Sequence, residues 1–105
     1  MSEHKLREGT IRKIWPNETD KFRDHLLRLD KDSRRMRFAH GVSDSFIADY
    51  AARMTEMGSV VYGYYVDGEV HAAAELRKLG ESWGPDAEAA FSVDRSFQLL
   101  FMVII

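Results

Sequence analysis

The sequence predicts an α+β domain: a mainly antiparallel sheet with two N-terminal helices, in the order β-α-α-β-β-β, followed by an apolar C-terminal strand. Three observations point there. Two runs rich in β-branched, aromatic and small residues, "SVVYGYYV" and "EVHAAAEL", flank the dipeptide Asp67-Gly68, which suits the tight turn of a β-hairpin. Upstream, two segments carry apolar residues at helical spacing. Short alternating runs, "GTIRKIW" and "AEAAFSV", stand on either side of those elements.

Residues 1–8, "MSEHKLRE", read as a polar leader without the apolar core of a signal peptide, and residues 9–105 as one partial domain. In "GTIRKIW", Ile11, Lys13 and Trp15 alternate with Arg12 and Ile14, a short strand with mixed faces that Pro16 ends. The first helix starts at a cap, Asn17 or Thr19, and carries Phe22, Leu26 and Leu29 on one stripe. "KDSRRMRFAHGV" reads as a connector with a basic cluster and a break at Gly41. Ser43 then caps a second helix whose buried stripe is Phe46, Ile47, Tyr50, Ala51, Met54 and Met57, with Gly58 as its stop. After the hairpin comes a polar loop, "RKLGESWGPD", and the strand "AEAAFSV", in which Ala87, Ala89, Phe91 and Val93 share a face. The tail "LLFMVII" reads as a strand buried on both faces.

Composition removes several classes of function. A chain of 105 residues with net charge -2 and interspersed signs has no overall pull toward nucleic acid or anionic lipid. The longest apolar run, seven residues, is far short of the roughly 20 that a membrane-spanning helix needs. There is no cysteine, which excludes disulfides and thiol chemistry and fits a reducing, cytoplasmic setting. His4, His25, His40 and His71 show no paired ligand spacing, so no metal site is expected. Lys31, Arg34, Arg35 and Arg37 read as a solvated connector balanced by Asp30 and Asp32, with an anion contact as the alternative. Tyr64 and Tyr65 are consecutive strand residues, so they point to opposite faces and cannot form one stacking platform.

A strand, two helices, an antiparallel hairpin and a strand entering a Q-x-x-G-x-G/A loop is the order of the GNAT family of N-acetyltransferases. Over roughly residues 9 to 98 this chain resembles the N-terminal half of that family. "IRKIWPNETDKFRDHLLRLDKDSRRMRF" is similar to its opening strand, first helix and connector, "VDGEVHAAAEL" to its central hairpin, and "AEAAFSVDRSFQ" to its fourth strand and the lead-in to the cofactor loop. The resemblance implies transfer of an acetyl group from acetyl-CoA to an amine, either a small molecule or a protein N-terminus. It also implies that Phe91, Ser92 and Val93 would pair with the pantetheine arm and that Gln98 would open the pyrophosphate loop. An acid on the central strands would then accept the amine proton, Glu88 first and Glu75 second. The alternative for each is a solvated strand charge or a salt-bridge partner, the commoner role of strand carboxylates.

The sequence departs from the family after Gln98. Where the loop glycines belong it has Phe101 and Val103, whose side chains block the close backbone approach that a pyrophosphate needs. The expected product is a truncated, weakly active or inactive acetyltransferase-like half-domain. The alternatives are a non-catalytic dimeric binding module and a truncated remnant on the same scaffold. Burying the seven side chains of Leu99–Ile105 is worth about 10–20 kcal/mol before entropy, at roughly 1.5–3 kcal/mol each. A homodimer through that tail and the exposed sheet edge is therefore expected.

Overall fold

The computed structural model describes residues 9–56 and 59–98, so the leader, the helix-end residues Met57 and Gly58 and the Leu99–Ile105 tail lie outside the described residues. Among the described residues four strands form one antiparallel sheet in sequence order: β1 (Thr10–Lys13), β2 (Val60–Val66), β3 (Glu69–Lys78) and β4 (Ala87–Val93). Between β1 and β2 come three helices, α1 (Thr19–Arg28), α2 (Lys31–Phe38) and α3 (Asp44–Glu56). The hairpin turns where the sequence places it. Asp67 and Gly68 both adopt positive φ, 51° and 80°, as a two-residue turn matched to the right-handed strand twist requires.

The helices lie over one face of the sheet, α1 packing on α3 and β3 and α2 on β4. The main core sits between the layers and includes Ile14, Phe22, Leu26, Ile47, Tyr50, Met54, Val61, Tyr65 and Val70. Alternation along β2 sends Val61 and Tyr65 into this core, whereas Tyr64 and Val66 join Ala72 and Phe97 in a smaller cluster on the opposite face. Gly63 is confined from the core side: a Cβ there would lie 2.9 Å from the Ile14 side chain. Tyr64 pairs with Ala72 but Tyr65 with Val70, so His71 is an extra residue in β3. That bulge resets the strand, and Val70 and Ala73 both face the helices.

One segment differs from the sequence expectation. Residues 31–38, read as a connector, form α2. It has no buried residue and hence no apolar stripe to announce it. Polar contacts hold it instead. The Asp30 carboxylate caps it by accepting from the Ser33 amide at 2.8 Å. The Arg34 guanidinium donates to the carbonyls of Leu27, Leu29 and Val42 at 2.9, 3.1 and 3.2 Å. Arg34 thus ties the end of α1 to the entry of α3, a structural task for part of the basic cluster. The helix stops at Ala39, in the left-handed region at φ 69°, two residues before the break expected at Gly41.

Candidate functional site

β4 is an edge strand of the described sheet. The Asp94 amide donates to the His71 carbonyl at 2.8 Å, and the register continues with Ser92 opposite Ala73 and Ala90 opposite Glu75. In an antiparallel ladder, alternate residues bond to the partner strand. Ser92, Ala90 and Glu88 therefore bond inward to β3, while Ala89, Phe91 and Val93 turn their backbone groups to the outer edge. Gln98 reaches back to this edge, donating from Nε2 to the Val93 carbonyl at 3.1 Å and to Ser33 Oγ at 2.9 Å. Three of the four residues assigned to the co-substrate, Phe91, Val93 and Gln98, thus meet on one side of β4. The Phe91 side chain is 70% exposed, beside an apolar recess of about 500 Å³ that Ile11, Tyr62, Tyr64 and Ala72 also line.

Ser92 points the other way, into a buried polar network that links α1 to the end of the sheet. His25 is wholly buried on α1, with Nδ1 2.6 Å from Asp94 Oδ1 and Nε2 2.8 Å from Ser92 Oγ. The second oxygen of Asp94 accepts from Arg28 Nε at 3.0 Å and faces His71 Nδ1 at 2.8 Å. An ionised carboxylate only accepts, so both histidines donate to it from Nδ1. Burial alone raises the Asp94 pKa. The hydrogen bond and charge of His25, with the bonds from Arg28 and His71, outweigh it and hold Asp94 below the usual aspartate value. Serine, histidine and aspartate stand in the series of a hydrolytic triad. Yet a nucleophile needs open space for a reacting carbon about 3 Å away, and Ser92, His25 and Asp94 are all buried. The network is a clamp.

The sequence reading missed this clamp, because it weighed His25 only as a metal ligand and His25 lies 69 residues from Asp94. One signal was available: His25 falls on the apolar stripe of α1, three residues after Phe22 and one before Leu26. A buried polar residue there requires partners. Among the described residues no group of three or more His, Cys, Asp or Glu side chains is arranged to hold a metal ion.

The two acid candidates lie at a second cleft, of about 570 Å³, between the helices and the helix-facing side of β3 and β4, which only Glu88 of the two lines. Glu75 lies behind it, 1% exposed, and both its oxygens are taken. Arg37 holds it bidentately, Nη2 to Oε1 at 2.6 Å and Nε to Oε2 at 3.0 Å, and the Tyr50 hydroxyl donates to Oε1. Burial pulls the Arg37 pKa down, but hydrogen bonding to Glu75 and its charge prevail and raise it. Tyr50 is pushed upward, by burial first and then by the Glu75 charge. Glu88 lines the cleft itself, half-exposed and ion-paired with Arg77 directly across the ladder. Phe38, Phe46 and Tyr50 form an aromatic wall, Phe38 meeting the other two edge to face at 5.6 and 5.1 Å.

No family model and no curated protein matches this sequence. Solved structures do. The GNAT domain of S. lividans PAT superposes on 86% of this chain with a TM-score of 0.66 at 20% identity. A "possible acetyltransferase" from Clostridium difficile 630 covers 91% of it with a TM-score of 0.56 at 14% identity. The chain spans 56% of the first of these structures and 68% of the second. Three helices on a four-stranded antiparallel sheet, in this order and superposing to this extent, are the fold of part of a GNAT domain.

Proposed function

We propose that this chain is a GNAT-like acetyl-transfer scaffold, with acetyl-CoA as acyl donor along the outer edge of β4 and an amine as acceptor in the helix-side cleft. The observation that carries this reading is the edge itself, where Phe91 offers an outward amide and carbonyl on a strand clamped from beneath by Ser92 and Asp94. The amides of a pantetheine arm find complementary partners in such an edge. Bound there, acetyl-CoA would supply an activated acyl carbon. Phe91 and Val93 hold the arm, Gln98 closes the strand end, and Ser92 acts from beneath through His25. Glu88, on the cleft wall, accepts the proton of the attacking amine. Glu75, with both oxygens bonded, keeps Arg37 in place. Phe101 and Val103 stand where a pyrophosphate needs glycines, so donor affinity and turnover are low for the lone chain. A cysteine-free composition suits a cytoplasmic setting.

The test is calorimetry with acetyl-CoA on the full chain and on Phe91→Pro. Proline on an edge strand removes the outward N–H and leaves the ladder intact. Binding weaker than micromolar in the parent and lost in F91P is the expected result. Absence of binding at millimolar acetyl-CoA, or binding indifferent to F91P, refutes the reading.

A second reading rests on the open face of the sheet, where Ile11 is 69% and Tyr62 45% exposed around the Phe91 recess. In that reading the scaffold is a non-catalytic homodimer, joined through this face and Leu99–Ile105. Light scattering decides: the full chain runs as a dimer and a chain lacking residues 99–105 as a monomer, whereas a monomeric full chain rejects it.

A further inference from the structure

We infer that the helix-side cleft recognises an amino carboxylate with an apolar or aromatic body, of the size of a free phenylalanine. Insofar as this names the acceptor, it rests on the acetyl-transfer reading; as a binding site it stands without it.

The inference follows from the charges that line the cleft. Arg37 is spoken for, because Glu75 neutralises it bidentately and both are buried. Arg77 and Glu88 balance each other in a half-exposed surface pair, an interaction weak enough to exchange for a ligand. Arg53, on the last turns of α3, also lines the cleft, is exposed, and has no carboxylate within ion-pair distance among the described residues. The cleft therefore carries one uncompensated guanidinium, and a guanidinium selects planar carboxylates through paired N–H donors.

The remaining walls set the rest of the ligand. Phe38, Phe46 and Tyr50 present a mostly apolar surface, and the volume of about 570 Å³ falls in the usual range for small-molecule sites. Glu88 supplies the one negative charge on the cleft wall itself, and an ammonium group is its complement. A zwitterion satisfies both signs: its carboxylate on Arg53, assisted by Arg77, and its amine at Glu88. A plain amine leaves Arg53 unmatched, and a dicarboxylate brings a second anion against Glu88.

Titration followed by amide chemical shifts tests this in the absence of acetyl-CoA, with three probes: phenylalanine, phenethylamine, which lacks the carboxylate, and 3-phenylpropionate, which lacks the amine. Phenylalanine is expected to bind best and to perturb residues around Phe46, Arg53 and Glu88. Arg53→Gln, an exposed change that leaves the core alone, should weaken phenylalanine and 3-phenylpropionate about tenfold and leave phenethylamine unmoved. Arg53→Lys should recover part of the loss. Equal binding of phenethylamine and phenylalanine, an R53Q variant that binds like the parent, or shifts confined to other regions would each overturn the assignment. Acetyl-CoA titrated separately keeps the two readings apart. Donor binding without phenylalanine binding defeats this inference alone, and phenylalanine binding without donor binding defeats only the transferase reading.

Discussion

Removing the Glu75 carboxylate tests the division of labour between the two acids. Its side chain is 1% exposed and that of Arg37 7%, and the two are joined by bonds of 2.6 and 3.0 Å with Tyr50 as a third member. Glu75→Ala leaves a guanidinium buried without its counter-charge, a loss that typically costs about 3–5 kcal/mol. A domain of this size has roughly 5–15 kcal/mol of net stability, so the variant would be close to unfolding. With a urea slope of about 1.5 kcal/mol per molar, the midpoint falls by about 2–3 M. The informative variant is the double replacement Glu75→Leu with Arg37→Met, which removes both charges and keeps the volume filled. It should recover most of the loss, because desolvation of the pair disappears along with its attraction. Urea denaturation of the parent, both singles and the double gives the coupling directly. A Glu75→Ala protein as stable as the parent, or a double variant as damaged as the two singles summed, would refute the reasoning. The first result would return Glu75 to the list of available bases.

Two further predictions concern titration. Asp94 is held below its ordinary pKa, so its contribution to stability is complete above the unfolded aspartate value near 4 and is lost as the pH falls through the folded value. Asp94→Asn should therefore lower stability most at neutral pH and flatten the loss below about pH 4, measured by urea midpoints across pH. Glu18 accepts two bonds from Arg12, each 2.8 Å, and that pairing lowers its pKa from 4.5 to about 2. Its carboxyl carbon should titrate near there by NMR, and Arg12→Ala should return it to the ordinary glutamate range.

Much of the architecture was legible because it is written in local periodicity. The β2–β3 hairpin, the stripes of α1 and α3 and the opposite facing of Tyr64 and Tyr65 all follow from spacing, and the structure has them. α2 was not legible, since its stability resides in Asp30 and in the reach of Arg34 to three carbonyls, and a hydropathy pattern records neither. The clamp around Asp94 was hidden for a different reason. Its members come from α1, β3 and the end of β4, and His71 is itself the bulged residue of β3, whose face simple alternation does not assign. Glu75 and Glu88 looked equivalent in the sequence, two acids on neighbouring strands. Helices above Glu75 and an open edge beside Glu88 are what separate them.

The bracing of β4 is lopsided. At the Ser92–Asp94 end, a buried carboxylate and two imidazoles fasten it to α1 and β3, while at the Ala87–Glu88 end a surface ion pair is the side-chain link to β3. The strand should consequently open like a zip from its beginning, with backbone amide protons near Glu88 exchanging with deuterated water long before those of Ser92 and Asp94. A guest sliding along the rim would meet a yielding entrance and a fixed stop.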